Sequence, residues 1–428
     1  MSNNDSKSSF FRQGAWMIIA TVGGGVFMTV VHSVVGQIRP VEEYGVFGAL
    51  LRLLILLGVP SAGLQVIFAR QAAAAIDDKR KAELNSTVRG VVTGIFVLWL
   101  LVCVAMIFGQ EKIVTALKIR NPLAFWATLV VMLTSLWMPV IKGLLQGTQN
   151  FLGLGWTSIL EGVGRFAAMC VIVFALKGES TGAMVAVIFG QVVTLGAGLW
   201  WTREYFLGPR APVAWKTWLT MAIPLTLGAG AITFMSTVDS VFVQSNFAGA
   251  DTPLYIAGYL VGFAVMQFTG PLAVVMFPKV ARSAATAQKT DALKITLMAT
   301  AAVGIAAIIG CAIFPELPLR VIYFRESSRH LWAAAPLVPW FVSGILMLSL
   351  ANVLVNELLA RQRFAIVPWL VAGCILYLGT LLNLRTHLAS VGLFAAYKTI
   401  IATFAGFNLY ILVVAASHVW GHKPAKPS

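Results

Sequence analysis

Three basic residues stand inside long apolar runs of this 428-residue chain: Arg52, Arg165 and Lys398. A charge near the centre of a membrane-spanning helix costs about 2.5–3.5 kcal/mol on insertion scales, so such residues ordinarily face a wet cavity and serve a function. The chemistry open to them is recognition of an anion. Arg offers a planar fork that matches phosphate or carboxylate oxygens, and Lys a point charge. All three are therefore candidate substrate-binding residues. Each also has a plainer reading: Arg165 pairs with Glu161 one helical turn away, and Arg52 or Lys398 snorkels to a membrane face.

A second group could carry coupling or gating. Glu161 is the acidic neighbour of Arg165, and His32 and Asp239 fall near the outer ends of two spans. His32 and Asp239 occupy matched places in an internal repeat, so symmetry would face them across a cavity as a titratable pair for a proton or sodium ion, or as an outer gate. Local hydrogen bonding of each is the alternative. Lys142 and Glu357, near inner helix ends, read as inner-gate partners or interfacial anchors. No residue set suggests catalysis, a cofactor or a metal. Cys103, Cys170, Cys311 and Cys374 lack metal or disulfide spacing, and no G-x-x-x-x-G-K-[ST] phosphate loop occurs.

The elements that must position these residues follow from composition. The chain is 59% hydrophobic and 11% charged, against about 25% charged in soluble domains. Lipid must be its solvent. Rulers of about 20 apolar residues give spans near 15–37, 44–68, 90–109, 122–144, 154–176 and 181–201, then 217–244, 253–278, 294–314, 331–356, 365–384 and 390–416. The net charge of +15 is topological and calls for no nucleic acid: with both termini cytoplasmic, roughly 19 basic residues lie inward against about 9 outward. The outward segments are short, which argues against a membrane glycosyltransferase or ligase. The expected architecture is an all-α polytopic membrane protein, about twelve helices in two pseudo-symmetric six-helix lobes, 1–205 and 206–428, around a central cavity.

The two lobes are read from self-similarity at about 210 residues, a mark of duplicated transporters. FMTVVHSVVGQ (27–37) matches FMSTVDSVFVQ (234–244), Glu43-Tyr44 matches Leu254-Tyr255, and Pro60 matches Pro271. VIFAR (66–70) faces VMFPK (275–279), and LLQGTQNF (144–151) faces LLARQRF (358–364). Gly23-Gly24-Gly25 corresponds to the Pro224, Gly228 and Gly230 region, marking either bent helices beside a binding site or close helix packing.

RPVEEYGVFGALLRLL (39–54), VDSVFVQSNFAGADTPLYIAGYLVG (238–262) and PLAVVMFPKVAR (271–282) resemble the polysaccharide and O-antigen flippases of the multidrug/oligosaccharidyl-lipid/polysaccharide (MOP) superfamily. That resemblance implies movement of an undecaprenyl-diphosphate-linked glycan from the inner to the outer leaflet of a bacterial inner membrane, by alternating access and beside proteins of glycan polymerisation and export. The anionic lipid-linked sugar would meet Arg52, Arg165 and Lys398. The alternative is an ion-coupled multidrug exporter of the same fold, whose cationic substrates favour carboxylates. Lipid II flippases usually carry two further helices, for which this chain has no room.

Overall fold

A computed structural model of the chain describes residues 3–35, 47, 50, 54, 63–116, 119, 121–176, 180–247, 251–286, 290–323 and 326–421. Among them the regular structure is helical, with no strand. In the first half the helices are α1 (Asn3–Val35), α2 (63–74), α3 (Asp78–Ala116), α4 (Leu123–Gly147), α5 (Phe151–Cys170, prolonged by a π turn Val171–Ala175) and α6 (Ser180–Leu207). Then come α7 (Trp215–Met235), α8 (Val238–Asn246), α9 (Thr252–Thr286), α10 (Ala292–Ile313), α11 (Leu317–Ile322), α12 (Val338–Ala360), α13 (Val367–Ser390) and α14 (Leu393–Trp420).

Ten helices among the described residues are long and apolar enough to cross a membrane. Of the twelve spans expected, the other two are 15–37, which falls on α1, and 44–68, which lies mostly outside the described residues. The apolar faces left uncovered are those lipid must cover: on α3, Leu98, Leu101 and Phe108 are 61%, 63% and 85% exposed. Only helices satisfy every backbone donor and acceptor within one segment, so an apolar solvent selects them. The chain is an all-α polytopic membrane protein.

It divides into two compact units, Met1–Ala222 and Ile223–Ser428. A division at 205/206 was expected near the end of α6; the units instead part within α7, just ahead of Pro224. The first turns of α7 belong with the first unit because Trp215 lies against Gly90 of α3 and Trp218 packs on the cluster of Leu84, Val88 and Leu144. The segment before α7 is strapped to α3 as well. Arg89 donates to the Gly208 carbonyl at 2.6 Å and Asn85 to that of Pro209 at 3.1 Å.

Within the first unit, α1 lies on α5 with almost no side chain between them. A Cβ on Gly24 would stand 2.4 Å from the Ser158 carbonyl oxygen, and one on Gly162 would stand 2.5 Å from that of Gly24. Close approach is thus the role of Gly24, while Gly23 and Gly25 have open space beside them. In the second unit α12 is the central helix, packed by α9, α10 and α14. Phe341 of α12 meets the ring of Tyr255 of α9 at 4.9 Å, and Asn408 of α14 donates to the Gly344 carbonyl.

The repeat is visible in backbone detail. Gln149 and Gln362 are the two described non-glycine residues with positive φ, 59° and 60°. Each follows the end of the corresponding helix, α4 or α12, and each closes the same turn. Asn150 N–H reaches the Leu145 carbonyl as Arg363 N–H reaches that of Leu358, and Gln149 N–H reaches Gln146 as Gln362 N–H reaches Leu359. This is the Schellman ending, in which glycine is the usual left-handed residue. Glutamine there costs about 1 kcal/mol that glycine avoids. Gln149→Gly should therefore raise the melting temperature of the detergent-solubilised protein, and an unchanged or lower midpoint would contradict the assignment.

Candidate functional site

Three charged residues of the first unit meet where α4 packs on α5. The side chain of Asn150 caps α5 by accepting from the Gly153 N–H at 3.0 Å, which fixes where the helix begins. Glu161 then lies about 15 Å along it and Arg165 about 21 Å, well inside a hydrocarbon layer of about 30 Å. Lys142 comes from α4, one turn beyond Pro139. Its Nζ donates to Glu161 Oε2 at 2.8 Å, while the Arg165 guanidinium stands 3.8 Å from Oε1. The trio carries two positive charges and one negative.

Amides and hydroxyls frame it. Gln65 of α2 donates to Gln146 of α4 at 3.0 Å, Gln191 of α6 donates to Ser135 at 2.9 Å, and Thr134 donates to Gln191. Gln65, Ser135, Met138, Pro139, Lys142, Glu161 and Gln191 line a cavity of about 220 Å³. Arg165 stands behind Glu161, only 9% exposed. It can lie so deep because Gly190 lets α6 press on its backbone: a Cβ at 190 would come within 2.6 Å of Arg165 N and 2.9 Å of its Cβ. One guanidinium donor, Nε, is buried without a hydrogen-bond partner among the described residues.

The second unit holds a different constellation. The chain breaks after α7 and resumes as α8, whose first turn carries Asp239. Asp239 is fully buried. Its Oδ1 accepts from the Ser240 N–H at 2.7 Å and its Oδ2 from the Tyr255 hydroxyl at 2.7 Å. Tyr255 in turn packs edge-on to Phe341 and Tyr397, with centroids 4.9 and 5.2 Å away. The buried hydroxyls of Tyr377 and Tyr397 have no hydrogen-bond partner among the described residues. Elsewhere in this unit a cavity of about 430 Å³ is mostly apolar, lined by Phe242, Phe247, Leu388 and Leu393, with Asn246 and Arg385.

The structure thus brings Arg165 and Glu161 together and adds Lys142. Asp239 lies in the other unit, with both oxygens served from its own neighbourhood. Lys398 is exposed on α14 and has no ion pair among the described residues. Arg52 lies outside the described residues; His32 is on α1, its side chain outside them too. Glu357 pairs with Arg361 at 2.5 Å and Lys142 with Glu161, each within its own unit. Sequence reading passed over Gln65, Gln146 and Gln191, although an amide in an apolar span is costly enough to be a signal. Among the described residues no three His, Cys, Asp or Glu side chains cluster to hold a metal.

A family profile described as polysaccharide biosynthesis protein matches residues 10–284. No curated protein sequence matches the chain. Solved structures do. An outward-facing multidrug resistance MATE family transporter of the MOP superfamily aligns with TM-score 0.79 at 11% identity, covering 98% of this chain and 97% of that one. A MATE structure in the straight conformation gives 0.78 at 12%, over 97% and 96%. A MOP superfamily transporter from Pyrococcus furiosus, described as having a binding pocket of reverse polarity that suggests a different function, gives 0.74 at 12%, over 96% of each chain. At such identities the likeness establishes the fold, and the family match covers more than half of the chain. The chain belongs to the polysaccharide biosynthesis protein family, and its fold is that of the MOP-superfamily transporters.

Proposed function

We propose that this transporter is a flippase for a lipid-linked oligosaccharide, moving a glycan on an undecaprenyl diphosphate from the inner to the outer leaflet by alternating access. One observation carries the reading: a Lys142–Glu161–Arg165 trio of net charge +1, with Arg165 buried and Lys142 and Glu161 lining a polar cavity inside the membrane span. A diphosphate loses its hydration in the hydrocarbon layer, and charge-assisted hydrogen bonds from Lys and Arg replace it. At about 220 Å³ the cavity is smaller than the roughly 300–1,000 Å³ typical of drug sites, and it suits a headgroup whose glycan and prenyl chain lie elsewhere. Arg52 and Lys398 are further candidate cations for the substrate in this reading. The protein resides in the bacterial inner membrane with both termini cytoplasmic.

The MATE fold makes a drug exporter the competing reading. Polarity argues against it: the site has more cations than carboxylates, and the larger cavity of the second unit has Arg385 as its charged lining residue. Cationic drugs would be repelled from both. Deletion of the gene should remove surface glycan, and neutralising Arg165 in the restored gene should make a lipid-linked intermediate accumulate. Drug hypersensitivity with intact glycan would instead establish the exporter. Coupling to a proton or sodium gradient is assigned to Asp239, with His32 as its symmetry partner. Transport by His32→Ala and Asp239→Asn variants that keeps the parent's dependence on pH and sodium would remove that assignment.

A further inference from the structure

We infer that Glu161 is a built-in stand-in for the substrate's phosphate: it engages the site's cations and must be displaced by the incoming anion. The inference rests on the anionic-substrate reading above and adds a role to it. Glu161 sets how readily the headgroup leaves rather than helping to hold it.

The asymmetry of the trio is the starting point. Lys142 holds Glu161 Oε2 at hydrogen-bond distance, 2.8 Å, but Arg165 stands at 3.8 Å from Oε1, beyond a true hydrogen bond. A guanidinium has five donors in a fixed fork that fits two oxygens at once. Here it meets a carboxylate loosely, and its Nε is buried with no partner among the described residues. Glu161 therefore neutralises Arg165 without satisfying it. A phosphate brings more oxygens and can fill the fork, so exchange of one anion for another gains hydrogen bonds at Arg165. Lys142 and Glu161 line the cavity while Arg165 lies behind them. An entering phosphate thus meets the Lys142–Glu161 contact first, and opening that contact uncovers Arg165.

Charge explains why the protein keeps a carboxylate where it binds an anion. Two cations alone in a low-dielectric site would repel each other and hold a diphosphate too firmly to release it. With Glu161 ready to return, departure of the headgroup is offset by re-formation of the internal pair.

The test uses the full-length protein in detergent with inorganic pyrophosphate as probe, alongside complementation of the deletion strain. Glu161→Gln should bind pyrophosphate about tenfold more tightly than the parent, while its cells accumulate lipid-linked intermediate because release is slow. Glu161→Asp, which retreats from Lys142 with its charge intact, should tighten binding by a smaller factor; it keeps the test decisive if the Gln variant does not fold. Arg165→Gln should lose binding. Parent binding abolished by Arg165→Gln, but equal or weaker in both Glu161 variants, overturns the stand-in role and leaves the flippase reading intact. No pyrophosphate binding by any variant, with surface glycan unaffected by deletion, overturns the anionic-substrate reading, and the inference with it.

Discussion

Replacing Lys142 by Met should destabilise the first unit by about 3 kcal/mol, because it leaves the Glu161 carboxylate buried beside a guanidinium too distant to hydrogen-bond it. The two side chains of this pair are 22% and 24% exposed, which places the effect at the lower end for a broken buried ion pair. Adding Glu161→Gln should restore most of that stability, since the uncompensated charge is then gone. It should not restore flipping, which needs the cations. Thermal unfolding in detergent separates the two effects: a double variant as unstable as the single one would mean that the uncompensated Glu161 charge is not what destabilises it. A double variant that flips normally would remove Lys142 from the transport site.

In the second unit the largest effect falls on Asp239. Asp239→Leu removes the acceptor for both the Tyr255 hydroxyl and the Ser240 N–H and should cost about 3 kcal/mol, as two buried donors lose their partner. Asp239→Asn keeps an oxygen for Ser240 and can offer its amide N–H to the Tyr255 oxygen, so it should cost less than about 1 kcal/mol. The pair of substitutions separates architecture from ion coupling. If the Asp239→Asn protein folds well yet loses the response of transport to pH or sodium, the charge is functional. If Asp239→Leu proves as stable as Asp239→Asn, the carboxylate–tyrosine contact does not hold α8 against α9.

How much of this could be read from residues alone depends on how local each relation is. The membrane class, the helical content and the halves are statements about composition and periodicity, which a chain shows openly. Arg165 and Glu161 are four residues apart on one helix, so their pairing follows from helix geometry. Lys142 and Glu161 are separated by a helix end and the turn at Gln149, and nothing in the sequence specifies how α4 lies on α5. Sequence alone therefore leaves Lys142 and Glu357 as inner-gate partners or interfacial anchors, and the structure pairs each within its own unit, with Glu161 and Arg361. Tyr255 was noticed for its place in the repeat, but its bond to Asp239 depends on the break between α7 and α8. The compact units part within α7 rather than in the loop ahead of it, because Trp215 and Trp218 bind the start of α7 to α3.

The twin turns at Gln149 and Gln362 reach back into the history of the chain. The same energetically awkward residue, in the same left-handed geometry, stands in both halves beside the sequence matches they share. Inheritance from a half-length ancestor accounts for that more simply than two separate inventions. Such an ancestor would have worked as a pair of identical copies, each compelled to serve every purpose. The halves have since diverged in their charged residues: one carries a lysine–glutamate–arginine cluster and the other an aspartate among tyrosines.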